Sequence, residues 1–219
     1  MKKAFFITIM SALLICSCQK ENEEVYSCNK HLNEWAHENL QSIRSMDRDA
    51  WLNLDEEYKR PAFNALTPEQ KLLFWKDKLK EVMTSFEWSE PERQHLMKMY
   101  RYLEEHPDMY TPESLNDSTQ NENFSRFAYQ WKNDAMIDLN WTEEQIYGII
   151  DTGNRMTNRN GTYAITTRKR NLTNTETQTA ATIDCNCNTT IDTNCKDVKC
   201  KEILCGGAMN REYKYNGRK

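Results

Sequence analysis

The chemistry this chain can do rests first on its eight cysteines, in 219 residues. Five crowd one end: Cys185-Asn186-Cys187, then Cys195, Cys200 and Cys205. Thiols at such spacings can hold a metal or crosslink. Structural zinc uses paired C-x2-C units or a Cys/His mixture. The tail has neither, and no histidine. A piece as short as residues 185–219 cannot bury a sufficient core without staples, so disulfides are the expectation. Five is an odd number, and Cys28 is the available sixth. Six cysteines leave 15 pairings open. The remaining candidates are weaker. His31, His37, His95 and His106 do not converge. There is no H-E-x-x-H, no G-x-S-x-G and no glycine loop to cradle phosphate. Glu56-Glu57 and Glu104-Glu105 read as solvated faces, and Trp75, Trp88, Trp131 and Trp141 as core. The expectation is a protein that is not an enzyme, with no catalytic residue, no metal and no cofactor.

The disulfide reading depends on export, and the amino terminus supplies it. Lys2 and Lys3 precede an apolar run from Ala4 to Cys16. That run is about a dozen residues, well short of the roughly 20 a spanning helix needs. It is the pattern of a secretory signal peptide. Ile15-Cys16-Ser17-Cys18 resembles a bacterial lipobox, which implies cleavage after Ser17 and acylation of Cys18. Several acyl chains give stable membrane anchoring. Gln19-Lys20-Glu21-Asn22-Glu23-Glu24 resembles the acidic export signal of Bacteroidota lipoproteins. That resemblance implies an outer-membrane lipoprotein displayed at the cell surface. A plain solvated tether is the alternative, because so polar a stretch cannot fold by burial.

A further resemblance covers nearly all of the mature chain. It rests on Asn33-Glu34-Trp35, Trp51-Leu52-Asn53-Leu54-Asp55, Tyr58-Lys59-Arg60, Leu66-Thr67-Pro68-Glu69-Gln70-Lys71 with Phe74-Trp75 and Lys78-Leu79, and the tail opening Cys185-Asn186-Cys187. In this order the stretches resemble the bacteriocin fulvocin C-related proteins of Bacteroidota. The resemblance implies a lipid-anchored protein of bacterial competition, with a helical front and a cysteine-rich effector tail. Family tails close with further cysteines around an Asn-Gly; here Tyr215-Asn216-Gly217-Arg218-Lys219 carries none. Arg168-Lys169-Arg170 offers a processing site that would free the tail, or a solvated basic run. The alternative function is a non-catalytic surface interaction or immunity module, with the tail as a stabilised appendage. The expected partners are the membrane, through the lipid, and an unknown surface or competitor-cell target. The acidic side chains concentrate before residue 150 and the remainder is net basic, which argues against nucleic acid; the asymmetry reads as two differently solvated pieces, or as a tail that docks on the body or on an anionic partner such as a membrane surface.

The elements that must position these groups are helical. Hydrophobic residues make up only 38% of the chain and glycines number six, so the core is modest and the fold is not rich in tight β-turns. Leu32, Trp35, Ala36, Leu40 and Ile43 recur at helical spacing. Thr67-Pro68-Glu69-Gln70, Ser89-Glu90-Pro91-Glu92 and Thr142-Glu143-Glu144-Gln145 are helix starts of the capping-box kind. Leu72, Leu73, Trp75, Leu79, Val82 and Met83 form the stripe after the first. Asp55 is a further cap, Pro61 a kink or a shifted start, and Asn116 to Asn123 a polar interruption. Asp117-Ser118-Thr119 resembles an O-glycosylation motif but reads more simply as a capped turn. The expectation is a mainly α protein: signal peptide 1–17, lipidated acidic tether 18–28, five or six helices over 29–150, polar linker 151–184, and disulfide-stapled irregular tail 185–219. Replacing Cys18 with Ser is expected to abolish incorporation of a labelled fatty acid and move the protein out of the membrane fraction. Cys16→Ser should leave both unchanged.

Overall fold

The computed structural model describes residues 24–27 and 29–165, with 205–206, 209 and 212–213 of the tail. Among the described residues the fold is mainly helical, in nine α-helices and one π turn. They are α1 (Lys30–Glu38), α2 (Leu40–Ile43), α3 (Arg48–Leu52), α4 (Glu56–Ala65), α5 (Pro68–Ser85), α6 (Glu90–Glu105), α7 (Pro112–Asn116), α8 (Ser118–Asp138), α9 (Glu143–Ile146) and the π turn Tyr147–Asp151. Helix α1 packs on α4, α5 on α6, α7 on α8, and the π turn returns to α5.

Local chemistry sets most boundaries. The Asn29 side chain accepts from the His31 and Leu32 amides and starts α1. Thr67 and Gln70 form a reciprocal box: the Gln70 amide donates to Thr67 Oγ1 at 3.3 Å and the Thr67 amide to Gln70 Oε1 at 3.0 Å. Asp117 accepts from the Thr119 and Gln120 amides. That cap starts α8 six residues before its first buried aromatic, Phe124, so the polar stretch 116–123 is largely helix and not an interruption. Asp55 occupies the cap position of α4 without a side-chain hydrogen bond. Pro61 lies inside α4.

The core is aromatic, as so polar a composition requires. Phe63, Phe74, Trp75 and Trp51 meet edge to face with centroids 4.9–6.3 Å apart. Trp88, Trp131 and Trp141 form a second cluster with His95. The four tryptophans expected in the core are all buried. The stripe of α5 differs from expectation at one point: Leu73 is 55% exposed, and Phe74 and Lys78 are buried instead. The helix turns about 100° per residue, so Trp75, Lys78, Leu79 and Val82 share the inner face and Leu73 falls outside it.

Packing also extends beyond the boundaries read from sequence. Tyr26 and Ser27, at the end of the expected tether, are buried. Asn33 Oδ1 accepts from the Tyr26 amide at 2.7 Å, and Asn64 Nδ2 donates to the Tyr26 carbonyl at 2.8 Å. Residues 152–165, expected as linker, form a strap against the helices. Its distal half is a hairpin: the Thr157 amide donates to the Thr162 carbonyl at 2.8 Å and the Ala164 amide to the Arg155 carbonyl at 2.9 Å. Asn160-Gly161 lies at its turn, with Gly161 at φ 95°. A Cβ at Gly161 would fall 2.1 Å from the Glu144 carbonyl oxygen. Thr67→Ala is expected to cost about 1 kcal/mol in chemical denaturation, the usual worth of a lost cap. Asp55→Ala should cost clearly less, because that side chain makes no capping bond.

Candidate functional site

Three places gather polar or cavity-forming groups. The first is where the strap enters the core. Arg48 from α3, Lys59 from α4 and Lys78 from α5 are all buried, and all converge on Gly153-Asn154. Arg48 Nη2 donates to the Gly153 carbonyl at 3.0 Å. Lys59 Nζ donates to Asn154 Oδ1 at 2.6 Å and to Glu56 at 3.0 Å. Lys78 Nζ donates to the Asn154 carbonyl. Asn154 Nδ2 donates to Glu56 Oε1 at 3.0 Å. Glu81 closes the network, accepting from Arg48 at 2.7 Å and Arg155 at 3.1 Å. Gly153 is required there: a Cβ would lie 2.6 Å from the Phe74 ring and 2.8 Å from that of Trp51. Burial, reinforced by the Arg48 cation, pushes the Lys78 ammonium down to about 7. Burial alone would raise the Glu81 carboxyl, but the Arg48 and Arg155 hydrogen bonds and charges hold it below its usual range.

An amine depressed to this degree suits nucleophilic catalysis. Here one of its N–H groups donates to a backbone carbonyl, and Lys78 is 0% exposed, with no path for a substrate. Neither groove described below is lined by it. The arrangement does structural work, satisfying the buried backbone of the strap.

The second place is an open groove of about 1260 Å³ between α8, α9, the π turn and the strap hairpin. Lys132 pairs with Asp151 at 2.8 and 3.1 Å on its wall. Tyr147 and Tyr163 stand 5.8 Å apart, ring to ring. Burial and the neighbouring Tyr163 push the Tyr147 hydroxyl up to about 12. The hairpin is held from its other side: Arg159 binds Glu92 and lies 5.0 Å over the Trp88 ring. Glu92 also accepts from Trp141 Nε1 at 2.8 Å and from the Ser89 amide at 2.9 Å.

The third place joins body and tail. Cys205–Gly206 (β1) and Glu212–Tyr213 (β2) pair antiparallel, Cys205 opposite Tyr213. Between them in the chain, Met209 is 0% exposed and belongs to the core cluster. The Tyr110 hydroxyl donates to the Met209 carbonyl at 2.8 Å. Beside Tyr110 runs a smaller groove of about 330 Å³, which Tyr26 and Leu66 also line.

Of the residues singled out from sequence, Cys18, Cys28, Cys185, Cys187, Cys195, Cys200, Arg168, Lys169 and Arg170 lie outside the described residues, as does the signal peptide. Cys205 is described in its backbone, as part of β1. The four histidines stay apart: His95 stacks on Trp131 at 4.5 Å and His106 on Tyr102 at 4.0 Å. Among the described residues no group of three or more His, Cys, Asp or Glu could hold a metal ion, and no helix is long and apolar enough to cross a membrane. Two signals for the strap were present in the sequence: the Asn160-Gly161 turn, and Lys78 placed on the apolar stripe between Trp75 and Leu79. No protein-family model, curated protein or solved structure matches the chain.

The pH dependence of stability follows from Lys78. In the unfolded chain its amine keeps the ordinary value, so between pH 7 and 9 the unfolded state holds a proton that the folded state has released. Stability therefore rises with pH across that window, by up to about 1.4 kcal/mol per unit from this group. Denaturant titrations at pH 7 and pH 9 should show the rise, and Lys78→Met should remove it whatever its absolute stability.

Proposed function

We propose that this protein is a surface-anchored, bacteriocin-like lipoprotein of bacterial competition. The helical body is the carrier, and the basic, cysteine-rich tail is the effector. The observation that supports this reading best is the contact between the two. Met209 of the tail is 0% exposed and its carbonyl accepts from Tyr110 of the body. A carrier has to hold what it carries, and an appendage with no relation to the body would not bury a residue in the body's core. The resemblance of residues 33–79 and of the Cys185-Asn186-Cys187 opening to fulvocin C-related proteins supplies the chemical class.

The roles divide along the chain. Cys18 carries the lipid, and residues 24–27 hand over from tether to body. Cys28, Cys185, Cys187, Cys195, Cys200 and Cys205 supply crosslinks in the oxidising exterior. Arg168-Lys169-Arg170 is the place for proteolytic separation. An immunity or adhesion module is the second reading, favoured by the open groove of about 1260 Å³ with its tyrosine pair.

The two readings part in one experiment. Residues 171–219, oxidised and added to related bacteria, are expected to inhibit growth. Growth unaffected by this peptide and by the full chain, with a partner recovered on immobilised full chain, would select the interaction module instead.

A further inference from the structure

The Tyr110 contact does more than mark proximity. Met209 sits at φ 58°, a left-handed conformation that a non-glycine residue adopts only where surrounding packing compensates its cost. Its side chain is fully enclosed and its carbonyl is hydrogen-bonded, so both halves of the residue are used by the body. The β1–β2 pairing ties together the chain on either side of it. The groove beside Tyr110 is also lined by Tyr26, in the segment that leads back to the lipid anchor.

We propose that this face is a self-docking interface that retains the tail independently of any disulfide. Cutting the chain at Arg168-Lys169-Arg170 then nicks the protein and leaves Met209 seated on the body. The occupant is this chain's own tail because Met209 is already in place, enclosed in the core and bonded to Tyr110. An acidic body and a basic tail favour the same pairing. The inference rests on the carrier reading, and it adds that processing and release are two separate steps. Release then requires undocking at Tyr110 after the cut.

The test uses the full chain with a single site-specific protease sequence in place of residues 168–170. The protein is nicked, reduced to remove any disulfide, and analysed by size-exclusion chromatography with light scattering. The expected result is one species with the mass of a single uncut chain. Met209→Asp should free the tail, and Met209→Leu should retain it. Loss of the methionine side chain is expected to weaken retention by about ten- to a hundredfold, the worth of one buried apolar side chain. Tyr110→Phe should weaken it by about fivefold, the worth of one hydrogen bond. The melting temperature of the nicked Met209→Asp body checks that the helices remain folded. Separation of the wild-type fragments on reduction would overturn the proposal. So would a Met209→Asp tail that stays bound as firmly as the wild type. A species of twice the mass would place the tail on a second copy and overturn the assignment in cis. No target cell is involved, so retention can fail while growth inhibition succeeds, or the reverse.

Discussion

Backbone buried inside a protein must have its N–H and C=O groups hydrogen-bonded, and the strap at residues 152–154 carries that requirement into the middle of an aromatic core. Its carbonyls do not pair with another strand. Basic side chains from three helices meet them: Arg48 the Gly153 carbonyl, Lys78 the Asn154 carbonyl, and Lys59 the Asn154 side-chain oxygen. Each of these groups would be costly to bury charged and alone. Glu56 and Glu81 offset that cost from the rim, and Lys78 lowers it by giving up its proton readily. The helices α3, α4 and α5 are thereby fastened to a segment about 70 to 100 residues further along the chain. A buried polar network of this kind is high-stakes: complete, it specifies one arrangement, and broken, it leaves a charge stranded.

The rest of the architecture follows from that fastening. Once Gly153 and Asn154 are fixed, Arg155 is brought to Glu81 and Asp49, and Arg159 reaches Glu92. The hairpin is then pressed so close to α9 and the π turn that two glycines, Gly148 and Gly161, are needed at the contact. The π turn itself lies where the chain swings from α9 into the strap. The large groove is the space left between this hairpin and α8. Tyr26 and Met209, from either side of the helices in the chain, are likewise held against them. The body is therefore the common support for the leading segment, the strap and the tail.

Much of the helical fold is legible in the sequence because its signals are local. The Thr67–Gln70 and Ser89–Glu92 boxes each act over three residues, and both appear where expected. The polar stretch before Phe124 misleads for the same reason. Composition suggests a break, whereas the Asp117 cap and the helical register carry α8 through it. The strap is the larger miss. Its polar residues read as solvated because nothing near them in sequence could satisfy them, and their partners lie on helices far upstream. Leu73 is exposed and Lys78 buried, the reverse of what hydrophobicity alone suggests. Asn154 needs a donor at its carbonyl, and Leu73 has no partner to pack on.

The helical class, the starts at Thr67 and Ser89 and the aromatic composition of the core can be read from the residues alone. Capping, helical period and the large area of aromatic side chains act locally or through composition. The tertiary structure alone decided which charges are buried, that residues 152–165 belong to the body, and that Met209 is enclosed against Tyr110. Each of those outcomes depends on a hydrogen bond or an enclosing surface supplied from far along the chain. Such a partnership exists only after the helices have packed.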